Sequence, residues 1–428
     1  MTSVLDNLAR SRRAGSPAGI TSVCSAHPIV IRAALRHGVL RDGAVLIEAT
    51  CNQVNQFGGY TGLKPSDFVA LVERIASEEG LPPDKVILGG DHLGPNPWRG
   101  ESAEVAMNKA EEMIAAYVEA GFRKLHLDTS MGCAGEPVAL DDAMTAGRAV
   151  RLAAVAERCA ASTGGEPPVY VIGTEVPPPG GANHVITALE PTNIDAARKT
   201  IALHRTRFDE AGLGKAFARV LALVVQPGVE FGNENVIVYN RARAHTLCAL
   251  LGEEPALVYE AHSTDYQGAV ALRELVEDGF AILKVGPELT FALREALYGL
   301  DLIASDSVIG YPSRNLMAVM EALMREEPGH WKGHYHGSKA EQHILRHYSY
   351  SDRIRYYWNH PAAEAAVLRL ARALDHRIIP APLFRQHLPR LVGHAGKPLN
   401  PQELLIDAVR AVLEEYQSAH QPGPQSLA

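Results

Sequence analysis

Several features that would assign a protein class at once are missing from this 428-residue sequence. Its cysteines are odd in number and never spaced C-x-x-C, which argues against a disulfide framework or a zinc finger. Scattered cysteines of this kind are typical of reduced thiols and predict a cytoplasmic protein. No apolar run approaches the roughly 20 residues that a membrane span needs, and the N-terminal segment has no apolar signal core.

The sequence also lacks an excess of basic residues and the glycine-rich motifs of nucleotide binding. Its 41 Lys and Arg against 49 Asp and Glu give a net charge of −8, which offers no basic field to a nucleic acid. No G-x-x-x-x-G-K-[ST] motif occurs, which disfavours a kinase. No G-x-G-x-x-G motif follows the first predicted strand, which disfavours a dinucleotide-binding fold.

What the sequence does contain is a regular alternation of short apolar runs and helical patterns. The eight runs are residues 19–25, 44–50, 85–91, 124–130, 168–175, 219–226, 256–262 and 281–286. Residues 65–80, 103–121 and 268–279 carry apolar residues at helical spacing and end in glycine. Near-continuous apolar strands between amphipathic helices predict a parallel sheet buried on both faces, and eight such units predict a (β/α)8 TIM barrel.

After about residue 305 the alternation stops and only helical patterns remain. They cover residues 314–328, 338–348, 360–375 and 400–419. The sequence therefore predicts an α/β barrel over residues 1–304 and a helical C-terminal extension, residues 305–428, that packs on the barrel.

Polar and ionisable residues collect where the predicted strands end. In a barrel these C-terminal strand ends face one cavity, however distant they are in sequence. The set comprises Glu48, Asn52, Gln53, Asp91, His92, His126, Asp128, Ser130, Glu175, Gln226, Glu260, His262 and Lys284. Burying such groups without partners is costly, so we expect them to converge on a metal ion, a polar substrate or both.

The segment GGDHLGPNP, residues 89–97, delivers Asp91 and His92 directly from a strand into a Gly/Pro-rich loop. We expect this pair to be functional. The alternative is a loop cap, in which the carboxylate of Asp91 accepts hydrogen bonds from backbone amides before Pro95.

Three residues from three strands, His92, Glu175 and His262, form a ligand set suited to Zn²⁺ or a similar divalent ion. His184, in the loop after the fifth strand, could add a further ligand. The alternative for each histidine is a hydrogen-bonded core or loop position. The H-x-H spacing in residues 334–337 lies in the extension, where we expect a solvated loop.

A phosphate site is predicted after the seventh and eighth strands, where barrels often bind phosphate through backbone amides at a helix start. The residues suited to it are Ser263, Thr264, Lys284, Gly286 and Thr290. In the alternative, Thr290 only caps its helix and Lys284 pairs with Glu288.

Six long segments resemble one known family, the Z-type subunit of tagatose-1,6-bisphosphate aldolase (GatZ/KbaZ). They are residues 87–98 (ILGGDHLGPNPW), 120–137, 173–183 (GTEVPPPGGAN), 259–267 (YEAHSTDYQ), 283–300 and 350–358 (YSDRIRYYW). The resemblance covers nearly the whole chain. It implies a barrel related to the metal-dependent class II aldolases and a sugar-phosphate substrate.

The resemblance also implies roles for individual residues. Asp91 matches the proton donor of those aldolases and His92 a metal ligand, while Glu175 and His262 fall at positions comparable to the later ligands. One departure concerns the loop after His262, which is glycine-rich in the aldolases and Ser-Thr-Asp here, residues 263–265.

Three functions stay open at this point. The first is a subunit of D-tagatose-1,6-bisphosphate aldolase in ketohexose-phosphate catabolism, with a metal-dependent aldol-type site and a catalytic Y-type subunit as an expected partner. The alternatives are a stand-alone ketohexose-phosphate 4-epimerase and a non-catalytic, chaperone-like subunit; a homo-oligomer is a further expected assembly. The aldolase and epimerase both need a divalent metal, expected to be zinc, and a carboxylate that moves a proton, with Asp91, Glu175 and Asp128 as candidates. Arg353 and Arg355 could grip a phosphate or form a partner interface; ordinary helix packing is the alternative.

Overall fold

The computed structural model describes residues 4–173 and 189–420, and its centre is a closed barrel of eight parallel strands. In chain order the strands are β1 Ile20–Cys24, β2 Val45–Thr50, β3 Val86–Leu93, β4 Lys124–Leu127, β5 Val169–Ile172, β6 Val220–Val224, β7 Val258–Ala261 and β8 Phe280–Val285. Each overlaps one of the eight predicted apolar runs, and the predicted TIM barrel is confirmed. A small antiparallel pair, Glu230–Phe231 and Val236–Ile237, follows β6.

Helices surround the barrel and make up the C-terminal part of the described chain. They are α1 Val4–Arg13, α2 Pro28–Arg41, α3 Pro65–Glu79, α4 Ala103–Glu119, α5 Asp142–Thr163, α6 Ile194–Glu210, α7 Gly214–Phe217, α8 Arg241–Glu253, α9 Gly268–Glu277, α10 Pro287–Ser307, α11 Asn315–Glu326, α12 Lys339–Tyr348, α13 Pro361–Leu374, α14 Ala381–His387 and α15 Pro401–His420. Short 3-10 turns lie at Gly59–Thr61, Pro83–Lys85, Asn96–Trp98, Pro328–His330, Arg353–Tyr357 and Pro389–His394.

Helix α3 illustrates how the sequence sets these boundaries. Pro65 occupies its first turn, where a missing N–H costs nothing, and Phe68, Val72 and Ile75 bury its apolar face. Gly80 ends the helix with a φ of 79°, a left-handed conformation that glycine adopts without strain, and its N–H bonds back to the last turn.

The barrel interior is layered because inward-facing residues recur every second position along each strand. The layer nearest the N-terminal strand ends is apolar and includes Ile20, Leu46, Val258 and Ile282, and helix α1 closes that end with leucine side chains. Two residues further along the strands the inward positions are charged, as at Glu48, Glu260 and Lys284. Two residues beyond Glu260 lies His262. Among the described residues, the buried ionic network of the barrel interior thus lies above the apolar layer, toward the C-terminal strand ends.

The C-terminal helix α15 is part of the wall around the barrel. It contacts α2 and α9, the helices that follow β1 and β7, and it also touches β1. His420 Nε2 lies 2.8 Å from Thr21 Oγ1 at the start of the barrel, and the Tyr416 hydroxyl donates to the Thr264 carbonyl at 2.7 Å. Helix α10 runs three residues past position 304 and packs against α15.

No helix in the described ranges is long and apolar enough to cross a membrane.

Candidate active site

A cavity of about 1130 Å³ opens at the C-terminal ends of the strands. The loops after β1, β2, β3, β4, β7 and β8 line its barrel side, and the extension contributes His334, Arg353, Arg355, Tyr356 and Trp358. The expectation of a solvated loop at residues 334–337 is therefore wrong for His334, because the extension folds back over the strand ends and brings this residue to the cavity wall.

The floor of the cavity is a buried ionic network. Lys124 Nζ lies 2.7 Å from Glu48 Oε1 and 2.7 Å from Glu260 Oε2, while Lys284 Nζ lies 2.6 Å from both Glu48 Oε2 and Asp91 Oδ1. Gly89 leaves the space that the Glu48 side chain fills, since a Cβ there would stand 2.7 Å from Glu48 Cγ. Two ammonium groups against three carboxylates leave one negative charge in a water-poor layer.

The charges within this network hold one another in the ionised state. Burial alone would neutralise each group. For Lys284 the neighbouring carboxylates outweigh burial and raise its pKa. For Glu260 and Asp91 the neighbouring cations outweigh burial and lower their pKa values. Asp91 is therefore a carboxylate at neutral pH.

His92 stands above this layer in a strained backbone conformation, with a φ of 49°. Its Nδ1 donates to Asp128 Oδ2 at 2.8 Å, and the Ser130 hydroxyl donates to the other oxygen of that carboxylate at 2.9 Å. Burial opposes protonation, but Asp91 and Asp128 outweigh it and raise the pKa of His92. With Nδ1 bound to Asp128, Nε2 is the ring nitrogen that could bind a metal ion, and it lies 3.9 Å from Asp91 Oδ1.

His126 completes the contact between the third and fourth strands. Its Nε2 donates to the Gly173 carbonyl at 3.0 Å, and its Nδ1 accepts the backbone N–H of His92 at 3.2 Å. The same Nδ1 lies only 3.1 Å from Asp91 Oδ1. The Lys284 ammonium, 2.6 Å from the same Asp91 oxygen, supplies positive charge beside these two acceptor atoms.

His262 reaches the same point from β7. Its Nε2 donates to Glu260 Oε1 at 3.0 Å, and burial lowers the pKa of His262 to about 3, which keeps the ring neutral. The ring centres of His92, His126 and His262 lie 4.8–5.2 Å apart. Together with Asp91 they offer ligand atoms that all lie within 4.8 Å of one another, a donor set that fits a divalent cation.

The predicted site residues thus divide into three groups. Asp91, His92, Asp128 and His262 come together in the described structure, whereas Glu175 and His184 lie outside the described residues. His126 was identified as a strand-end residue but not as a ligand. The sequence signal for His126 is the two-residue spacing in KLHLD, residues 124–128. Because alternate residues of a strand face the same side, this spacing places Lys124, His126 and Asp128 in the barrel interior.

The predicted phosphate residues have different surroundings. The Thr264 hydroxyl donates to the Lys284 carbonyl at 2.7 Å, and the Thr290 hydroxyl donates to Asp352 Oδ2 at 2.7 Å. Lys284 itself belongs to the ionic network. Ser263 lines the cavity with a φ of 53°, and its buried hydroxyl has no hydrogen-bond partner among the described residues.

Two arginines of the extension, Arg353 and Arg355, add positive charge to the cavity wall. Within the described residues neither Arg353 nor Arg355 pairs with a carboxylate, because the adjacent Asp352 binds Arg294 Nε at 2.7 Å. Arg353 donates Nε to the His330 carbonyl, and Arg355 donates Nη2 to the Tyr356 hydroxyl at 2.9 Å. Both guanidinium groups lie over the Tyr356 ring, at 5.1 and 4.4 Å from its centre.

Fold and site together define a (β/α)8-barrel protein with a histidine and aspartate cluster of metal-binding type at its C-terminal strand ends. The chain belongs to the D-tagatose-1,6-bisphosphate aldolase subunit GatZ/KbaZ-like family, whose model matches residues 5–421. The resemblance found in the sequence is thereby confirmed.

Two relatives match nearly the whole chain. One, the D-tagatose 6-phosphate 4-epimerase of Agrobacterium fabrum, is 59% identical over 419 residues, which are 98% of this chain and 99% of the relative. The other is the crystal structure of a probable tagatose 6-phosphate kinase from Sinorhizobium meliloti 1021. It has a TM-score of 0.86 and 56% identity, and it covers 94% of this chain and 100% of its own.

Proposed function

We propose that this chain is a metal-dependent ketohexose-6-phosphate 4-epimerase that works by breaking and re-forming the C3–C4 bond of its substrate. The observation that carries the proposal is one cavity lined both by Asp91, His92 and His262 of the cluster that also includes His126 and by two arginines of the extension without carboxylate partners. The name of the Agrobacterium relative, which is 59% identical, agrees with this reaction.

The three histidines would hold the divalent ion, which we expect to be zinc, and Asp91 lies beside them as the group that moves the proton. When bound, such an ion acts as a Lewis acid toward the ketose carbonyl. A hydrogen bond to an oxygen atom fixes the orientation of each histidine ring. Asp128 orients His92, Glu260 orients His262, and the Gly173 carbonyl orients His126.

The proton moves through Asp91 in this proposal. Its carboxylate accepts the proton of the C4 hydroxyl, and the O–H electron pair forms the C4 carbonyl as the C3–C4 bond breaks. The electrons of that bond pass into the C2 carbonyl and give an enediolate. When the aldehyde turns its other face, C3 attacks it again and Asp91 returns the proton to the C4 oxygen.

An epimerase must keep the aldehyde fragment in its site until the bond re-forms, whereas an aldolase releases it. The residues of the extension would enclose this fragment. The aldehyde fragment carries the phosphate, and Arg353, Arg355 and the unpaired Ser263 hydroxyl are the groups that would keep it from leaving. Tyr60 packs edge-on against Tyr356 at 4.8 Å and narrows the space beside them.

A second candidate is favoured by the family description, a tagatose-1,6-bisphosphate aldolase subunit. In this reading the chain acts with a catalytic Y-type partner, either through its own site or as a non-catalytic support.

The experiment uses the purified, metal-loaded chain alone. Tagatose 6-phosphate, fructose 6-phosphate and tagatose 1,6-bisphosphate are offered separately, and the products are followed by NMR. We expect metal-dependent interconversion of the two monophosphates and a loss of at least about 100-fold in His92→Ala. His204→Ala, a buried histidine on α6 outside the cavity, is the matched control and should stay active.

Other outcomes select the other candidates. Triose phosphate from the bisphosphate would indicate a self-sufficient aldolase. Activity that appears only after a Y-type subunit is added would indicate a supporting subunit. ATP-dependent formation of a bisphosphate would indicate a kinase.

A further inference from the structure

The start of helix α10 is capped by a carboxylate from the neighbouring loop. Asp265 follows β7, and its Oδ1 accepts the backbone N–H of Gly286 at 3.0 Å and of Glu288 at 2.8 Å. The Asp265 side chain is 2% exposed and lines the cavity. Its other oxygen makes no hydrogen bond to another residue in the described part of the chain.

The position at the start of α10 is a common phosphate-binding position in barrels of this type. The loops after the seventh and eighth strands, with the amides of a helix start, are where such barrels commonly hold a phosphate group. Here the two amides that would receive the phosphate oxygens are already bound, by a group of the same charge sign that is attached to the chain.

The electrostatics of this corner also disfavour a second anion. Burial raises the pKa of Asp265 to about 6, against its amide contacts and Arg355, so the group is mostly charged at neutral pH. Lys284, the cation that is suited by its position to bind phosphate, is held by Glu48 and Asp91 at 2.6 Å each. Within the described residues, the cavity-lining arginines without a carboxylate partner are Arg353 and Arg355 of the extension and Arg99 in the loop after β3.

We infer that Asp265 is a specificity-determining residue that occupies the phosphate position at the start of α10 and so restricts the site to ketohexose monophosphates. The inference rests on the proposed function and deepens it. The single phosphate binds beside Arg353 and Arg355, and the unphosphorylated C1 hydroxyl faces Asp265, which accepts its hydrogen bond. A bisphosphate would bring its second phosphate against this carboxylate, which is strongly unfavourable.

Calorimetric titration tests the inference without turnover. Wild type, Asp265→Gly and Asp265→Asn are titrated with fructose 6-phosphate and with fructose 1,6-bisphosphate. We expect wild type to bind the monophosphate at least about tenfold more tightly than the bisphosphate. Asp265→Gly frees both amides and should reduce or reverse this ratio by at least about tenfold, and Asp265→Asn, which keeps an acceptor but not the charge, should change it in the same direction.

Asp301 provides the matched control. It is also buried and accepts the N–H groups of Leu316 and Met317, both at 3.1 Å, at the start of α11, away from the cavity. Asp301→Asn should lose stability without changing the ratio. If Asp265→Gly does not fold, Asp265→Asn decides.

Each outcome separates the inference from the proposed function. Equal affinity of wild type for the two ligands, or an unchanged ratio in the folded Asp265 variants, overturns the role of Asp265 even if the monophosphates are interconverted. A shifted ratio in a chain that interconverts nothing supports Asp265 and overturns the epimerase. Failure to bind either ligand overturns both.

Discussion

At the scale of single residues, the site depends on which nitrogen of each histidine is committed to the protein. His92 donates Nδ1, whereas His126 and His262 donate Nε2, and in each case a fixed oxygen sets the choice. In the proposed metal site the other nitrogen of each ring would be the ligand atom, so these oxygen partners would set the geometry of the site as much as the histidines do.

Replacing the partner of His92 tests this point. Asp128→Asn keeps the size of the side chain but removes the charge that orients the ring, and we expect metal affinity to fall about 10- to 100-fold. Competition with a chelator measures the affinity directly. Ser130→Ala, which removes only a hydroxyl donor to Asp128, should have a smaller effect, and equal affinities in all three proteins would contradict the assigned role.

A second prediction at this scale concerns the contribution of the buried ionic network to the free energy of unfolding. Lys124→Met leaves Glu48 and Glu260 buried at 0% exposure without one of their cations, and breaking such a pair costs about 3–5 kcal/mol. Denaturant unfolding measures the loss. The exposed Lys339→Met serves as the control, and a loss below about 1 kcal/mol in Lys124→Met would mean that the network relaxes around the change.

At the scale of secondary-structure elements, the strands were predictable and part of their chemistry was not. The eight apolar runs predict eight buried strands, because a strand that is buried on both faces is apolar along nearly its whole length. The two-residue step within a strand could also have placed His126 beside Asp91. The contact of Asp265 with the start of α10 joins two loops about 20 residues apart, and no local pattern records which amides a carboxylate will meet.

The start of α10 predicts a pH dependence. Burial first, and then the charge of Asp265, raise the pKa of Glu288 from 4.5 to about 8. The folded state therefore holds a proton that the unfolded state releases, and this group lowers stability as the pH rises from about 4.5 to about 8. Glu288→Gln keeps an acceptor for the Tyr266 N–H and removes the titration.

We expect Glu288→Gln to match wild type near pH 5 and to exceed it by about 1–3 kcal/mol near pH 9. Unfolding free energies measured at both pH values test this. The exposed Glu326→Gln on α11 should show no such trend. A constant difference between Glu288→Gln and wild type at all pH values would mean that this carboxyl does not titrate in the range.

At the scale of the whole molecule, the extension and the barrel are joined on two sides. Residues of the extension line the cavity, and α15 contacts α2, α9 and β1 around the strands. The division at residue 304, which the change of sequence rhythm predicts, stays a prediction about chain segments. Sequence periodicity identifies α15 as a helix, but it does not indicate which surface almost 400 residues away the helix will cover.

We expect the two parts to unfold together. Tyr416→Ala removes a fully buried ring from α15 and the hydroxyl that bonds the Thr264 carbonyl, and it should lower the unfolding free energy by about 3–5 kcal/mol in a single transition. Tyr348→Ala, at an exposed position on α12, is the control. A fragment ending at residue 304 should fail to fold, and a stable fragment would show that the barrel is complete without α15.

The position of α15 has a consequence for synthesis on the ribosome. The contact between His420 and Thr21 joins the last described turn of the chain to its first strand. While residues 401–420 are still in the exit tunnel, the nascent barrel has an apolar seam between α2 and α9 with nothing to cover it. The barrel must therefore remain incomplete until residues 401–420 have left the tunnel, and during this interval its exposed apolar surface most needs a chaperone.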